Sequence, residues 1–214
     1  MADITPKLAY LSGFLRDGSV TSGKSHEYKI VFYQKSREFL ESVINPMFKK
    51  VFGVEPKIKF GNGCWESYVY SKEILKFFVR TLEFPLHRGQ TRWDVPDVIK
   101  KSNFEIKKFF ITGFFDAEGS VSLGKKPKLA FYQSWFTGDE CPPLKFIKDF
   151  LNENGIKTSN VNGPYKISKN FAYELTICSK EGILNFSSMF SLFNPEKADK
   201  LKILISHLQE TSQS

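Results

Sequence analysis

Two stretches of the chain are apolar on almost every side. Residues 8–15 and 109–115 show no polar face at helical spacing beyond the small Ser12 and Thr112, so a helix formed by either stretch must be buried all round. Gly13 and Gly113 would let two such helices approach closely. The pattern therefore predicts two helices that are buried against each other.

Alternating positions follow the first apolar stretch. In residues 27–33, Tyr28, Ile30 and Phe32 share one face and polar side chains the other, which is typical of a half-buried strand in a hairpin. The remaining periodicity predicts helices at 38–52 and 144–154, strands around 68–70 and 175–177, helices capped by Ser71 and Ser179, and a C-terminal helix at 196–209.

The two halves of the chain repeat one another. Three blocks recur in order, namely G-F-[L/F] leading to [D/E]-G-S-V, then F-Y-Q, then S-K-E, and matched blocks of this kind indicate duplicated units. The predicted fold class is α+β, with two pseudo-symmetric αββαββα units. We place the first half-domain at residues 1–85, a linker at 86–103 and the second half-domain at 104–214.

The net charge and the lengths of the apolar runs indicate the kind of partner and the compartment of the protein. The net charge is +8, from 31 basic against 23 acidic residues, which favours a polyanionic partner such as nucleic acid. The apolar runs are too short to cross a bilayer, and the N-terminus does not resemble a signal peptide. We expect an intracellular, cytoplasmic protein, with an organellar compartment left open.

The three cysteines and three histidines are scattered along the chain. Their spacing predicts neither a disulfide framework nor a zinc site. Any metal should therefore be a hard cation that takes oxygen ligands.

An acid precedes a glycine at the end of each apolar helix. Asp17-Gly18 and Glu118-Gly119 should stop the helices, with the glycine in the left-handed conformation. A carboxylate is unfavourable at a helix C-terminus, and two of them on paired helices would suit a divalent cation. The metal-ligand candidates are Asp17, Glu118 and the preceding positions Arg16 and Ala117, and the alternative is a pair of solvated turn residues.

The second of these motifs, Ile-Thr-Gly-Phe-Phe-Asp-Ala-Glu-Gly at 111–119, resembles the LAGLIDADG motif. With both copies, the chain resembles the single-chain LAGLIDADG homing endonucleases from Leu8 to about His207. The resemblance implies paired motif helices, saddle-shaped antiparallel sheets over DNA, and catalysis by Asp17 and Glu118. It also implies that Gln34 and Gln133 organise water around Mg²⁺, with Mn²⁺ able to substitute and Ca²⁺ supporting binding without turnover.

The first motif has one residue fewer between its glycine and its acid. Asp17 can then reach an equivalent place only if the helix end tightens or unwinds, or if Ser12 takes the contact role of Gly113. Lys35 follows Gln34, but its counterpart Ser134 is neutral, so any catalytic role of Lys35 is asymmetric.

A two-stranded ribbon fits the major groove of DNA, so polar strand faces are the candidates for base contacts. These candidates are Ser25, Glu27, Lys29, Tyr33, Lys35, Glu66, Tyr68 and Tyr70 in the first half, and Lys128, Tyr132, Glu174 and Thr176 in the second. Lysines near strand ends suit phosphate contacts, namely Lys57, Lys59, Lys157, Lys166 and Lys169. For any single lysine, a solvated surface charge is the alternative.

These observations predict a monomeric, intron-encoded endonuclease that cuts both strands of a long asymmetric DNA target with divalent metal. Two alternatives stay open. One is an RNA maturase that assists intron splicing on the same fold, and the other is a catalytically silent DNA-binding regulator.

Overall fold

A computed structural model describes residues 4–23, 28–86, 89–167 and 169–210. The chain divides into two compact units, residues 1–117 and 118–214, and each is described by itself. The boundary falls near the end of the second motif helix. The predicted half-domain limits at residues 85 and 104 stay a prediction.

The first unit contains the predicted αββαββα series. Its elements are α1 (Pro6–Phe14), a 3₁₀ turn (Leu15–Asp17), β1 (Gly18–Ser22), β2 (Tyr28–Gln34), α2 (Arg37–Phe39), a π-helical segment (Leu40–Ile44), α3 (Asn45–Phe52), β3 (Lys57–Gly61), β4 (Cys64–Tyr70) and α4 (Lys72–Arg80). The strands form one antiparallel sheet in the order β1-β2-β4-β3.

The helix predicted at 38–52 is interrupted by a π-helical turn. The Asn45 N–H bonds to the Leu40 carbonyl at the end of this turn, directly before Pro46. A proline inside a helix donates no hydrogen bond and its ring crowds the carbonyl four residues earlier. Widening the preceding turn places Pro46 in the first turn of α3, a position where proline is tolerated.

Serine side chains cap the helices where the sequence predicts them. Ser71 accepts a hydrogen bond from the Ile74 N–H at the start of α4, and Ser179 accepts one from the Gly182 N–H at the start of the helix Lys180–Met189. Each bond satisfies a backbone donor that has no partner within its helix.

The predicted linker is folded into the first unit. It includes a 3₁₀ turn (Gln90–Arg92) and α5 (Asp97–Lys100). Trp93 is only 1% exposed, and Val95 and Ile99 are also buried. The Trp93 indole donates a 2.7 Å hydrogen bond to the Leu82 carbonyl. This segment therefore contributes to the core of the first unit.

Helix α6 (Phe104–Glu118) packs on α1 backbone to backbone. A Cβ added to Gly13 would lie 2.0 Å from the Phe110 carbonyl oxygen, and one added to Gly113 would lie 2.1 Å from the Tyr10 carbonyl oxygen. Neither position has room for a side chain. The predicted close helix pair is confirmed, and Gly13 itself, rather than Ser12, plays the role that Gly113 plays in α6.

The second unit repeats the arrangement of the first. After the end of α6 come β5 (Gly119–Ser122), β6 (Lys128–Trp135), α7 (Pro142–Glu153), β7 (Asn162–Ile167), β8 (Asn170–Ile177), α8 (Lys180–Met189) and α9 (Pro195–Glu210). Its antiparallel sheet has the order β5-β6-β8-β7, equivalent to that of the first. The α+β fold class and the repeated unit are confirmed.

The expected left-handed glycine stops are wrong. Gly18 has φ −161° and ψ −172° and begins β1, and Gly119 begins β5, so the chain passes directly from helix into strand. At Gly18 the need is for space, because a Cβ there would lie 2.4 Å from the Val31 carbonyl oxygen. In the described part of the chain, no helix is long and apolar enough to cross a membrane.

Candidate functional site

A 3₁₀ turn makes up for the missing residue of the first motif. Helix α1 ends at Phe14, and Leu15–Asp17 continue as 3₁₀ helix. From Gly13, one α step and three 3₁₀ steps advance the chain by about 7.5 Å, the same as the five α steps from Gly113 to Glu118 in α6, at ~1.5 Å and ~2.0 Å per α and 3₁₀ residue. The tightening predicted as one alternative is therefore confirmed, and the angular mismatch falls from ~100° to ~40°.

The Asp17 carboxylate is hydrogen-bonded to the predicted amide. Gln34 lies at the end of β2 and its Nε2 donates to Asp17 Oδ2 over 2.9 Å. Both side chains belong to half-buried residues. An amide donor fixes the position of a carboxylate oxygen without adding a counter-charge.

Arg16 anchors this turn to the folded linker. Its residue is 2% exposed, and its guanidinium donates to the backbone carbonyls of Trp93 and Asp94. The same guanidinium lies 4.5 Å from the centroid of the Trp93 ring and 5.3 Å from that of Phe114. The residue directly before Asp17 is therefore held by two hydrogen bonds and two aromatic faces.

A buried hydrogen bond links the two motif helices within the first unit. Tyr10 Oη donates to Asp116 Oδ2 over 2.8 Å, and Asp116 is fully buried. Burial, followed by the charge of Asp116 and the hydrogen bond to it, raises the pKa of Tyr10 well above its ordinary value. Tyr10 therefore stays protonated and supplies a donor to the motif carboxylate that precedes Glu118.

The second acid lies at the last position of α6. Glu118 and Ala117 are both half-buried, and Gln133 in β6 is buried, with its Nε2 donating to the Ser134 carbonyl over 2.7 Å. The boundary after Ala117 puts Asp17 and Glu118 in different units. Within the described ranges, no group of three or more His, Cys, Asp or Glu residues forms a metal cluster.

A buried glutamate pairs with two lysines on the first sheet. Glu66 Oε2 lies 3.2 Å from the Nζ atoms of both Lys29 and Lys59. These ammonium groups also lie 5.0 and 5.6 Å from the Tyr68 ring centroid. Burial by itself raises the pKa of Glu66, but the hydrogen bonds and charges of the two lysines outweigh it, so this pKa lies below its ordinary value.

The second sheet carries a similar pair. Lys128 Nζ lies 2.5 Å from Glu174 Oε1, and the hydrogen bond to Glu174 raises the pKa of Lys128. Burial, and then a hydrogen bond to Glu174, raise the pKa of Tyr132. The structure therefore brings three of the predicted base-contact residues together.

The other predicted nucleic-acid contacts lie as follows. Tyr33 bonds to Ser19 over 3.1 Å, Tyr70 is 57% exposed, and Thr176 is buried. Of the lysines predicted to contact nucleic acid, Lys35, Lys57, Lys157, Lys166 and Lys169 are exposed. Ser25 and Glu27 lie outside the described residues.

Sequence reasoning missed three exposed apolar side chains on the sheets. Phe60, Tyr165 and Ile167 are 61%, 56% and 57% exposed on β3 and β7. Phe60 packs on Trp65 at 5.1 Å between ring centroids. The alternation within 162–167 could have indicated these exposed apolar positions. The roles of Trp93 and Asp116 depend on long-range packing and had no local signal.

The second motif and the elements that follow it match a known protein family. The family model described as a LAGLIDADG-like domain matches residues 105–190. This part of the chain is therefore similar to LAGLIDADG-like domains. The predicted resemblance is thereby confirmed for the second half of the chain.

Similarity to proteins with the LAGLIDADG-type fold extends over nearly the whole chain. The chain is 28% identical over 201 residues to homing endonuclease I-ApeI of Aeropyrum pernix, and the match covers 92% of this chain and 86% of that protein. A structure of the homing endonuclease I-DmoI matches with a TM-score of 0.67 at 20% identity, covering 94% of this chain and 98% of that one. I-DmoI in complex with DNA and Ca matches with a TM-score of 0.66 at 21% identity, covering the same shares. Other matching I-DmoI structures hold target DNA in the presence of Mg or Mn.

Proposed function

We propose that the chain is a site-specific double-strand DNA endonuclease that hydrolyses phosphodiester bonds at a long, asymmetric target with divalent metal. The observation that carries this proposal is the Asp17 carboxylate, held by Gln34 at the end of a motif helix. The similarity to I-ApeI and to DNA-bound I-DmoI supports it. A protein that only bound DNA or RNA would have no need of a carboxylate held in this way.

The donor set suits a hard divalent cation. In each half the motif acid (Asp17 or Glu118) would supply a carboxylate and the residue before it (Arg16 or Ala117) a carbonyl oxygen, and such oxygen donors fit Mg²⁺, Mn²⁺ or Ca²⁺ better than zinc. A bound Mg²⁺ would polarise the phosphate and lower the pKa of a coordinated water.

The surrounding side chains have distinct roles in this proposal. Gln34 fixes the Asp17 carboxylate, and Gln133 provides the equivalent amide of the second half. The two amides orient water for attack on phosphorus. Lys35, exposed directly after Gln34, stabilises negative charge that develops on the phosphate. Because Ser134 is its counterpart, this assistance serves one half only.

The sheets form the proposed DNA-binding surfaces. Exposed lysines and aromatic side chains lie on β3 (Lys57, Lys59 and Phe60) and β7 (Tyr165 and Lys166), and Tyr70 is exposed at the end of β4. A monomer with two unlike sheets reads an asymmetric target. Because the substrate is DNA, we place the activity inside the cell, in the cytoplasm.

The maturase alternative is not favoured, because both motif acids are present and the named relatives are endonucleases. The decisive experiment is cleavage selection from a plasmid library with a randomised duplex insert, in Mg²⁺ and in EDTA. We expect linear product from one family of related sequences in Mg²⁺ only. Cleavage that continues in EDTA, or equal cleavage by an Asp17→Asn variant, would contradict the proposal.

A further inference from the structure

The two sheets place a lysine at the same point of the repeat. Lys29 lies five residues before Gln34 on β2, and Lys128 lies five residues before Gln133 on β6. Both strands lead to the amide assigned to the active site. The two lysines are therefore equivalent positions in the duplicated units.

Their acidic partners are equivalent as well. Glu66 on β4 is the register partner of Tyr33, and Glu174 on β8 is the register partner of Tyr132. Each tyrosine directly precedes the amide of its own half. The same Lys–Glu pair is thus present at equivalent positions of both sheets.

These pairs are unlike the other ion pairs of the described residues. The Glu66 side chain is 5% exposed and that of Glu174 is 20% exposed, whereas the acids of the helical pairs, such as Glu196 and Asp199, are 75% and 69% exposed. Exposed pairs contribute little to stability. A glutamate that is largely buried has little access to a base edge, so its direct effect is on the lysine or lysines paired with it.

We infer that Glu66 and Glu174 are specificity-determining residues, which act as built-in counter-ions for the lysines of the DNA-binding sheets. Each carboxylate fixes an ammonium group in one place and cancels its charge. The lysine then adds little to binding of arbitrary sequence, because releasing it for a phosphate leaves a covered carboxylate unpaired. A base acceptor such as guanine O6 or N7 at the fixed position can engage the lysine without breaking the pair.

This inference rests on the proposed function and can be tested without knowing the target. The probe is a fluorescent duplex of mixed sequence, and the readout is the salt dependence of its binding by anisotropy. Glu66→Gln and Glu174→Gln keep the side-chain shape. Asp199→Asn adds the same unit of charge but loosens only an exposed pair with Lys202, so it is the matched control.

A lysine freed to bind phosphate steepens the plot of log affinity against log salt by about 0.9, or ~3.5-fold over a fourfold change in salt. We expect this increase for Glu174→Gln, up to twice it for Glu66→Gln with its two lysines, and no change for Asp199→Asn. Adding Lys128→Met to Glu174→Gln should restore the wild-type slope. Because Glu174 is the less buried acid, its variants keep the test valid even if Glu66→Gln fails to fold.

Equal slopes for Glu174→Gln and Asp199→Asn would overturn the inference while leaving the endonuclease proposal intact. A wild-type chain that binds no duplex would instead contradict both. With the selected target in hand, the ratio of target to mixed-sequence affinity should fall in both glutamate variants and stay unchanged in the control.

Discussion

Replacing Gly13 by alanine should separate the two motif helices. The new Cβ would lie 2.0 Å from the Phe110 carbonyl oxygen and 2.8 Å from the Phe114 amide nitrogen. Real Cβ contacts essentially never fall under 3.0 Å, so the backbones must move apart by about 1 Å in a close-packed interior. Both clashing groups are backbone atoms, and no side-chain rotation can relieve them.

The expected cost has two parts. Overpacking a core typically costs about 1–3 kcal/mol, and the upper end applies where backbone must move. The same displacement weakens the buried bond between Tyr10 and Asp116, a hydrogen bond to a charged group that contributes roughly 1.5–3 kcal/mol. Gly13→Ala should therefore destabilise the first unit by about 3–5 kcal/mol, or ~10 °C in Tm for a chain of this size.

Thermal and urea unfolding followed by far-UV circular dichroism measure this loss. Gly138→Ala is the control, because its Cβ would make only ordinary contacts at 3.4 Å with the Phe171 ring. We expect the control to unfold within about 0.5 kcal/mol of the wild type. Equal stability of the two variants would refute the close backbone packing of α1 and α6.

The other predictions concern chemistry, pH and the linker. Asp17→Asn or Glu118→Gln should abolish double-strand cleavage in a plasmid assay and leave affinity for the selected target, measured by anisotropy in Ca²⁺, within ~tenfold, about 1.4 kcal/mol. Full-rate cleavage by either variant would rule out the replaced acid as a metal ligand. Because the pKa of Tyr10 is raised in the folded chain, the stability that this side chain contributes is complete below its unfolded pKa of about 10 and is lost as the pH rises further. Denaturant titrations at increasing pH should show this loss in the wild type and a smaller loss in Tyr10→Phe. Arg16→Met should lower the free energy of unfolding by roughly 2–4 kcal/mol through loss of two charge-assisted hydrogen bonds and ring stacking, and Arg16→Lys should restore little of this loss because lysine lacks the planar fork. Wild-type stability of Arg16→Met in denaturant melts would show that the linker contact is dispensable.

Local patterns predicted most of the fold. The αββαββα order, the serine caps at Ser71 and Ser179 and the buried helix pair follow from periodicity and cap chemistry over a few residues, and the structure confirms them. The left-handed stop at Gly18 was wrong because the helix passes directly into a strand. No local rule distinguishes a glycine needed for its torsion angles from one needed for space.

The site could be predicted only in part. The acid and amide blocks identified Asp17 and Gln34, which the structure joins across 17 positions of sequence. The choice between a 3₁₀ turn and other solutions to the shortened motif depends on packing against α6. The partners of Arg16 lie 77 and 78 positions away, and separations of this size leave no trace in a periodic pattern.

The anchoring of Arg16 on residues 93 and 94 bears on how this protein could be divided and recombined. A hybrid enzyme built from its first half and a foreign second half would normally be joined in the connecting segment. A junction before Trp93 would replace the segment whose backbone carbonyls accept hydrogen bonds from the buried Arg16 guanidinium, next to the proposed catalytic acid Asp17. The exchangeable module therefore extends through α5, and chimaeras joined after residue 100 should retain a properly held Asp17.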